Sequence, residues 1–283
     1  MAKRNGEAVD LEALTRRVRA IERGVGRVEP RPLATGWPAL DGSLAGGGLA
    51  RGAVHEWLGL DDAAGAARTR GGLAAWTPPL FLLAALCERA LEERPEGWVL
   101  WIGSRVWPYP RTLTRRGAVR AVGEIVPDRS AARDTVREKS AGGSSAGEGS
   151  TFELRLESEP EQEDRRLLER SLFLDPPDLA ARVWAADAAL RCPSIAAVVL
   201  EGKGLRVPAG RRLQLAAEAE GGVAFVARAA DEAREVSAAT TRWRVRRAAP
   251  TSGAEGDERP RWELELLRVR AGSSAPSEVT RAG

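Results

Sequence analysis

Apolar positions along this chain recur in two rhythms, one of helices and one of strands. Val9 or Leu11, Leu14, Val18 and Ile21 stand three or four residues apart and predict an amphipathic helix within residues 1–29. That helix either packs on its own domain or is offered to a partner protein. A stretch punctuated by Gly and Pro, Pro30 to Gly52, leads into the strand Ala53–Leu58. Thr77 suits a helix N-cap and Pro78 the first helical position, with Leu80, Leu83, Ala84, Cys87 and Leu91 on one apolar face. The near-continuous run Trp98–Ile102 reads as a central parallel strand.

The character changes between Asp128 and about Arg166, where Ser, Gly, Glu and Arg dominate. Residues 128–166 are expected to form a disordered, low-complexity insertion, within which the alternating run Thr151–Glu157 offers one edge strand or hairpin arm. Order resumes with a helix opened by Asp175-Pro-Pro-Asp178, whose Leu179, Val183, Ala186 and Leu190 share a face. The strand Ile195–Leu200 ends at Glu201. Pro208–Ala219 follows as a helix with Leu213 and Ala216 or Ala217 inward, and Val223–Val226 as a buried strand. Arg242–Arg247 and Arg261–Leu266 alternate with period two, the mark of half-exposed antiparallel strands. The tail 271–283 is expected to be disordered. The sum is an α/β fold with a mainly parallel central sheet flanked by helices and a C-terminal antiparallel hairpin, its core split into residues 30–127 and 167–270.

Composition narrows the chemistry. The 283 residues carry 43 basic and 40 acidic side chains, a net charge of +3 that is too mild to mark a nucleic-acid binder. Lys occurs only at positions 3, 139 and 203, and the single histidine, His55, leaves little material for His-based triads or metal sites. Cys87 and Cys192 lie in apolar contexts and are expected to be buried free thiols. No apolar run approaches a membrane span, and the N-terminus lacks the apolar stretch of a signal peptide, so a cytoplasmic location is expected.

After the first strand the chain offers Gly59-Leu-Asp-Asp-Ala-Ala-Gly65-Ala-Ala-Arg68. A phosphate-binding loop needs correctly spaced glycines, then Lys and Ser/Thr. Here Gly59 and Gly65 are one residue too far apart, Ala66 and Ala67 replace Lys and the hydroxyl, and Asp61 and Asp62 repel phosphate. Glu201 stands where a metal-linked acid ends a strand in an ATPase, but most other ligands of a Mg²⁺–nucleotide are missing. No catalytic, metal or cofactor site is expected, and salt-bridging or capping of the adjacent turn is the expected use of Glu201.

Four stretches carry a family resemblance. Thr35-Gly-Trp-Pro-Ala-Leu-Asp41 through Gly46-Gly-Gly-Leu-Ala-Arg-Gly-Ala-Val-His-Glu56 resembles the approach to the P-loop in RecA relatives. Ala196-Ala-Val-Val-Leu-Glu201 resembles a Walker B strand, and Arg211–Ala219 the helix after it. The ending Thr241-Arg-Trp-Arg-Val245 with Arg261–Gly272 resembles the ImuA family of RecA-like accessory proteins in SOS mutagenesis. The resemblance implies a bacterial protein of the DNA-damage response. It would act in translesion synthesis and DNA repair beside an ImuB-type polymerase homologue and an error-prone DNA polymerase, with RecA as a further contact. ATP hydrolysis does not carry over, since Ile102-Gly-Ser-Arg105 also lacks the water-activating acid of RecA relatives. The reading is a non-catalytic accessory or scaffold protein. The alternative is a RecA-like ATP- or DNA-binding regulator of recombination with an unorthodox nucleotide site.

Surface candidates follow from the same pattern. Lys203, Arg206, Arg211 and Arg212 fall where RecA-like proteins carry their first DNA-contacting loop, though the stretch lacks aromatics for base stacking. Arg242, Arg244 and Arg246 share one side of a strand and are expected on a solvated face or a docking surface. Trp37, Trp57, Trp98, Trp101, Trp184, Trp243 and Trp262 are expected in the core. Trp107 and Tyr109 sit in a Pro-rich loop after a strand end, the place for a partner contact.

Overall fold

The structure, a computed structural model, describes residues 31–44, 46–59, 76–113, 119–120, 150–156, 165–247 and 261–270. The amphipathic run of residues 1–29, the Leu60–Arg68 part of the loop after the first strand, most of the 128–166 insertion and the tail lie outside them.

Nine strands form one sheet among the described residues: β1 (Ala53–Leu58), β2 (Trp98–Ile102), β3 (Val119–Arg120), β4 (Thr151–Leu156), β5 (Ser171–Leu174), β6 (Ile195–Glu201), β7 (Val223–Arg228), β8 (Thr241–Arg247) and β9 (Arg261–Val269). Their order is β3-β4-β9-β8-β1-β7-β6-β2-β5. From β8 to β5 every neighbouring pair is parallel, whereas β9, β4 and β3 pair antiparallel. The mainly parallel sheet with an antiparallel C-terminal hairpin is thus observed. The hairpin does not close the sheet, however: β8 joins β1 directly, and β9 is covered by β4 on its far side. The alternating run Thr151–Leu156 supplies that cover. The short strand Ser171–Leu174, unforeseen in the sequence, makes the opposite edge.

Among the described residues the α-helices are α1 (Pro38–Ser43), α2 (Leu80–Glu93), α3 (Pro110–Leu113), α4 (Arg166–Glu169), α5 (Leu179–Leu190) and α6 (Val207–Glu220). α2 begins two residues later than the Thr77 cap implies, with Pro79 at the N-cap position. The reason is local: a residue that precedes proline is pushed out of the α region, so Pro78 cannot start the helix ahead of Pro79. Asp178 does cap α5, accepting a hydrogen bond from the Ala181 N–H at 2.8 Å.

Two apolar layers sandwich the sheet. On one face, α2 shares a single apolar cluster with Trp57, Val99, Trp101, Phe225 and Trp243; on the other, α5 and α6 share one with Val54, Leu100, Ile102, Val198 and Val226. Trp57 and Trp243 stack across the β1–β8 pair, with centroids 5.5 Å apart and planes 11° from parallel. Two core expectations fail. Trp184, on the outer side of α5, is 65% exposed, and Cys192 is exposed while Cys87 is buried.

The Thr35–Asp41 motif is a closed turn. Asp41 accepts hydrogen bonds from the Thr35 hydroxyl (2.8 Å), the Thr35 N–H (2.9 Å) and the Gly36 N–H (3.1 Å), and the Trp37 N–H donates to the Thr35 hydroxyl. Leu33 and Leu49 then pair backbone to backbone, aiming the Gly-rich segment into β1. His55 secures the entry. Its Nε2–H donates to the Ala50 carbonyl at 2.9 Å, so its Nδ1 accepts from the Thr241 hydroxyl at 2.7 Å, which itself accepts from the Trp243 indole at 2.8 Å.

Burial lowers the pKa of His55 from 6.5 to about 4, against a smaller opposing effect of the Ala50 hydrogen bond. A folded value below the unfolded one means the unfolded chain binds the proton first as pH falls. Stability is therefore full above about pH 6.5 and declines toward about pH 4, by on the order of 3 kcal/mol at about 1.36 kcal/mol per pH unit. Urea unfolding followed across that window should show this decline, and His55→Gln should flatten it.

Candidate functional site

The carboxyl ends of the parallel strands bring Gly59, Gly103, Glu201 and Arg228 to one edge of the sheet, where ligands of open α/β sheets bind. Gly59 donates its N–H to the Arg228 carbonyl at 2.8 Å. A Cβ at that position would lie 2.3 Å from the Thr77 carbonyl oxygen, so close backbone packing accounts for this glycine. Gly65 lies outside the described residues.

Glu201 is buried and held on several sides. Its Oε1 lies 3.1 Å from Arg182 Nη1 and 3.6 Å from Arg105 Nε, and its Oε2 accepts the Arg105 backbone N–H at 3.3 Å. Glu201 is thus salt-bridged, but to Arg182 of α5 and to the turn after β2; the Gly-rich turn that follows it in the chain, which it was expected to cap, is held by Glu232 instead. Gly103 makes this possible. Its φ is +96°, and a Cβ there would meet Glu201 Oε2 at 2.6 Å, so the chain turns over the carboxylate only without a side chain. Among the described residues no group of three or more His, Cys, Asp or Glu is placed to hold a metal ion.

Beside this edge lies a buried charge cluster. Glu56, the one acidic residue of β1, accepts from Arg242 Nε at 2.7 Å, the Ser237 hydroxyl at 2.6 Å and Arg228 Nη1 at 3.2 Å. Arg228 also reaches Glu232 and Glu235, and the Arg242 guanidinium donates to the carbonyls of Glu232, Ala233 and Glu235. Burial works against the Arg228 charge, yet the hydrogen bonds to Glu232 and the charges of Glu56 and Glu232 outweigh it, leaving its pKa raised. Burial likewise opposes ionisation of Glu232, but hydrogen bonds from Arg228 and from the Gly204 N–H hold its pKa below the usual carboxylate value. Arg242 therefore does not lie on a solvated face: it is buried, because the β1–β8 register sets it directly beside Glu56. Only Arg244 and Arg246 remain toward solvent, and both reach Glu265, at 2.9 and 3.5 Å. The cluster went unseen in the sequence. Its visible sign is a charged residue, Glu56, inside a strand that is apolar but for the neighbouring His55.

The loop after β6 is tied to the same cluster, since Glu232 Oε1 accepts the Gly204 N–H at 2.6 Å. It presents Lys203 and Arg206 to solvent, with Arg211 and Arg212 exposed on α6. Arg212 is engaged: its Nη2 is 2.9 Å from Asp187 on α5, which Arg191 also approaches at 3.3 Å. The Arg212 hydrogen bond is the main reason the Asp187 pKa is lowered. Farther along the edge, Trp107 and Tyr109 are exposed, with Trp107 meeting Phe173 of β5 edge-on at 5.6 Å.

Protein ImuA from two strains of Caulobacter vibrioides is 30% identical to this chain over 259 residues, spanning 86% of the chain and 81% of the relative. The chain belongs to the ImuA family. No family model matches it. In ImuA terms the lead-in turn, the Glu201 strand and the C-terminal hairpin on which the resemblance rests are, respectively, a hydrogen-bonded turn, a paired strut and an interior part of the sheet.

The Glu56 cluster should dominate local stability. Removing one partner of a buried pair strands the others without compensation, so Glu56→Ala should cost about 3–5 kcal/mol in chemical denaturation. The Glu56→Ala, Arg242→Met double variant should recover part of that loss; recovery near zero would show that the two side chains act independently.

Proposed function

We propose that this ImuA-family protein is a non-catalytic, cytoplasmic accessory of damage-induced mutagenesis. It assembles with an ImuB-type polymerase homologue and an error-prone DNA polymerase in translesion synthesis, with RecA as a further contact. The observation that carries the non-catalytic reading is the state of Glu201. An acid serving a nucleotide-bound metal needs free oxygens at the strand end, and here both are engaged by Arg182 and Arg105. The sequence adds Ala66 and Ala67 where a phosphate lysine and a metal-binding hydroxyl would stand. Assembly is assigned to the Trp107–Tyr109 loop, where one exposed aromatic leans on β5 and the other stands clear of the body. Arg244 and Arg246 supply a second, weaker candidate contact.

A supplementary role in DNA contact has its own support. Lys203, Arg206 and Arg211 are exposed and make no ion pair within the described residues, on a loop fixed in place by Glu232. Such side chains neutralise phosphates without reading sequence.

Titration calorimetry with Mg²⁺–ATP should detect no saturable binding; an affinity that Glu201→Ala abolishes would reverse the reading in favour of a nucleotide-dependent regulator. In pull-downs with the ImuB-type partner, Trp107→Ala together with Tyr109→Ala should weaken capture by about tenfold or more, as expected of aromatic anchors. Undiminished capture would place the partner elsewhere.

A further inference from the structure

Trp184 is the most exposed of the chain's tryptophans, at 65%. Its placement follows from how α5 and α6 lie side by side. Asp187, one turn along α5 from Trp184, pairs with Arg212 of α6. At the other end, Gly204 abuts Leu179 in the first turn of α5, 3.8 Å from the Leu179 Cδ2 to an ideal Cβ at position 204. Helical geometry then sets Trp184 on the flank of α5 that carries Asp187 and Arg191, at a level between the Lys203–Arg206 loop and Arg212.

The charges around the indole are dominated by one sign. Lys203, Arg206 and Arg211 are exposed and free of ion pairs within the described residues. Three nearby acids are ion-paired: Asp187 with Arg191 and Arg212, Glu201 with Arg182 and Arg105, and Glu232 with Arg228. Asp178, which keeps its charge while it caps α5, and Asp231 are exposed and offset part of the charge of the three cations, which still outnumber them. A flat exposed ring among cations in excess is the chemistry of single-stranded nucleic acid: phosphates on the cations and a base on the ring. Duplex DNA keeps its bases stacked on one another and leaves no face for the indole.

We propose that Trp184 is a base-stacking platform that completes a single-stranded DNA surface running from Lys203 and Arg206 across the α5–α6 seam to Arg211. This rests on the DNA-contact role proposed above and supplies the aromatic group that the Lys203–Arg212 stretch lacks on its own.

Fluorescence anisotropy of the full chain with labelled oligothymidylate, at low salt and then with added salt, tests the assignment. Trp184→Ala should weaken binding by about 5- to 150-fold, as removal of one stacked base does, with the slope of log affinity against log salt unchanged. Trp184→Phe should keep most of the affinity but lose the quenching of tryptophan emission that oligothymidylate causes in the parent chain. The combined reversal Lys203→Glu, Arg206→Glu and Arg211→Glu should weaken binding and reduce the salt slope by about 1 for each phosphate no longer neutralised. If the charge reversal abolishes binding while Trp184→Ala binds like the parent, the stacking role is overturned, DNA contact stands, and the indole is left to a protein partner. If the parent chain does not bind at low salt, both fall together.

Discussion

The interior of this protein is organised around a carboxylate that water never reaches. Glu56 sits in the strand nearest the middle of the sheet, and a bare charge there would be prohibitively costly. Two arginines and a serine hydroxyl satisfy it, and those three groups come from β7, β8 and the segment between them. The requirement to pair that charge therefore fixes which strands flank β1. It also sets how far the rest of the sheet extends, because β9, β4 and β3 all attach through β8. Apolar packing alone would tolerate several neighbours for a Val- and Trp-bearing strand; the charge singles out one arrangement.

Much of this is legible in the chain. Short, mostly apolar runs locate β1, β2, β6 and β7, which are buried on both faces, and the period-two and period-3.6 patterns locate β8, β9, α5 and α6. What escapes the pattern is nonlocal. Arg242 alternates with Trp243 and Val245 as an exposed residue does, and its burial depends on a partner 186 positions earlier. Ser171–Leu174 carries a three-residue apolar run too short to separate a strand from a loop, and only the free edge of β2 makes it one. The exposure of Trp184 is a different case, because helical spacing alone accounts for it. The step that turns Val183 and Ala186 inward turns their neighbour outward, against the general expectation that a tryptophan is core.

The two ends of the sheet are finished differently. On the β3 side, antiparallel strands extend the hairpin outward. On the β5 side the last strand has four residues and stops at Pro176-Pro177, whose rings cannot continue a ladder. The exposed aromatic loop stands beside that short edge, and the basic loop with Trp184 beside the helices of the opposite layer face. The proposed partner contact and the proposed DNA contact thus draw on separate parts of the molecule, both reached from the carboxyl ends of the parallel strands.

The grip on Glu201 also bears on whether nucleotide chemistry could be installed in this scaffold. A designer who introduced lysine and threonine at positions 66 and 67 would still face a carboxylate already serving as a strut between α5 and the turn after β2. Freeing it for a cation would strand Arg182 and loosen the Gly103 turn, so such a design passes through a less stable molecule. What holds the acid in place acts as a lock: each interaction that gives Glu201 a structural use makes a metal-binding use harder to reach.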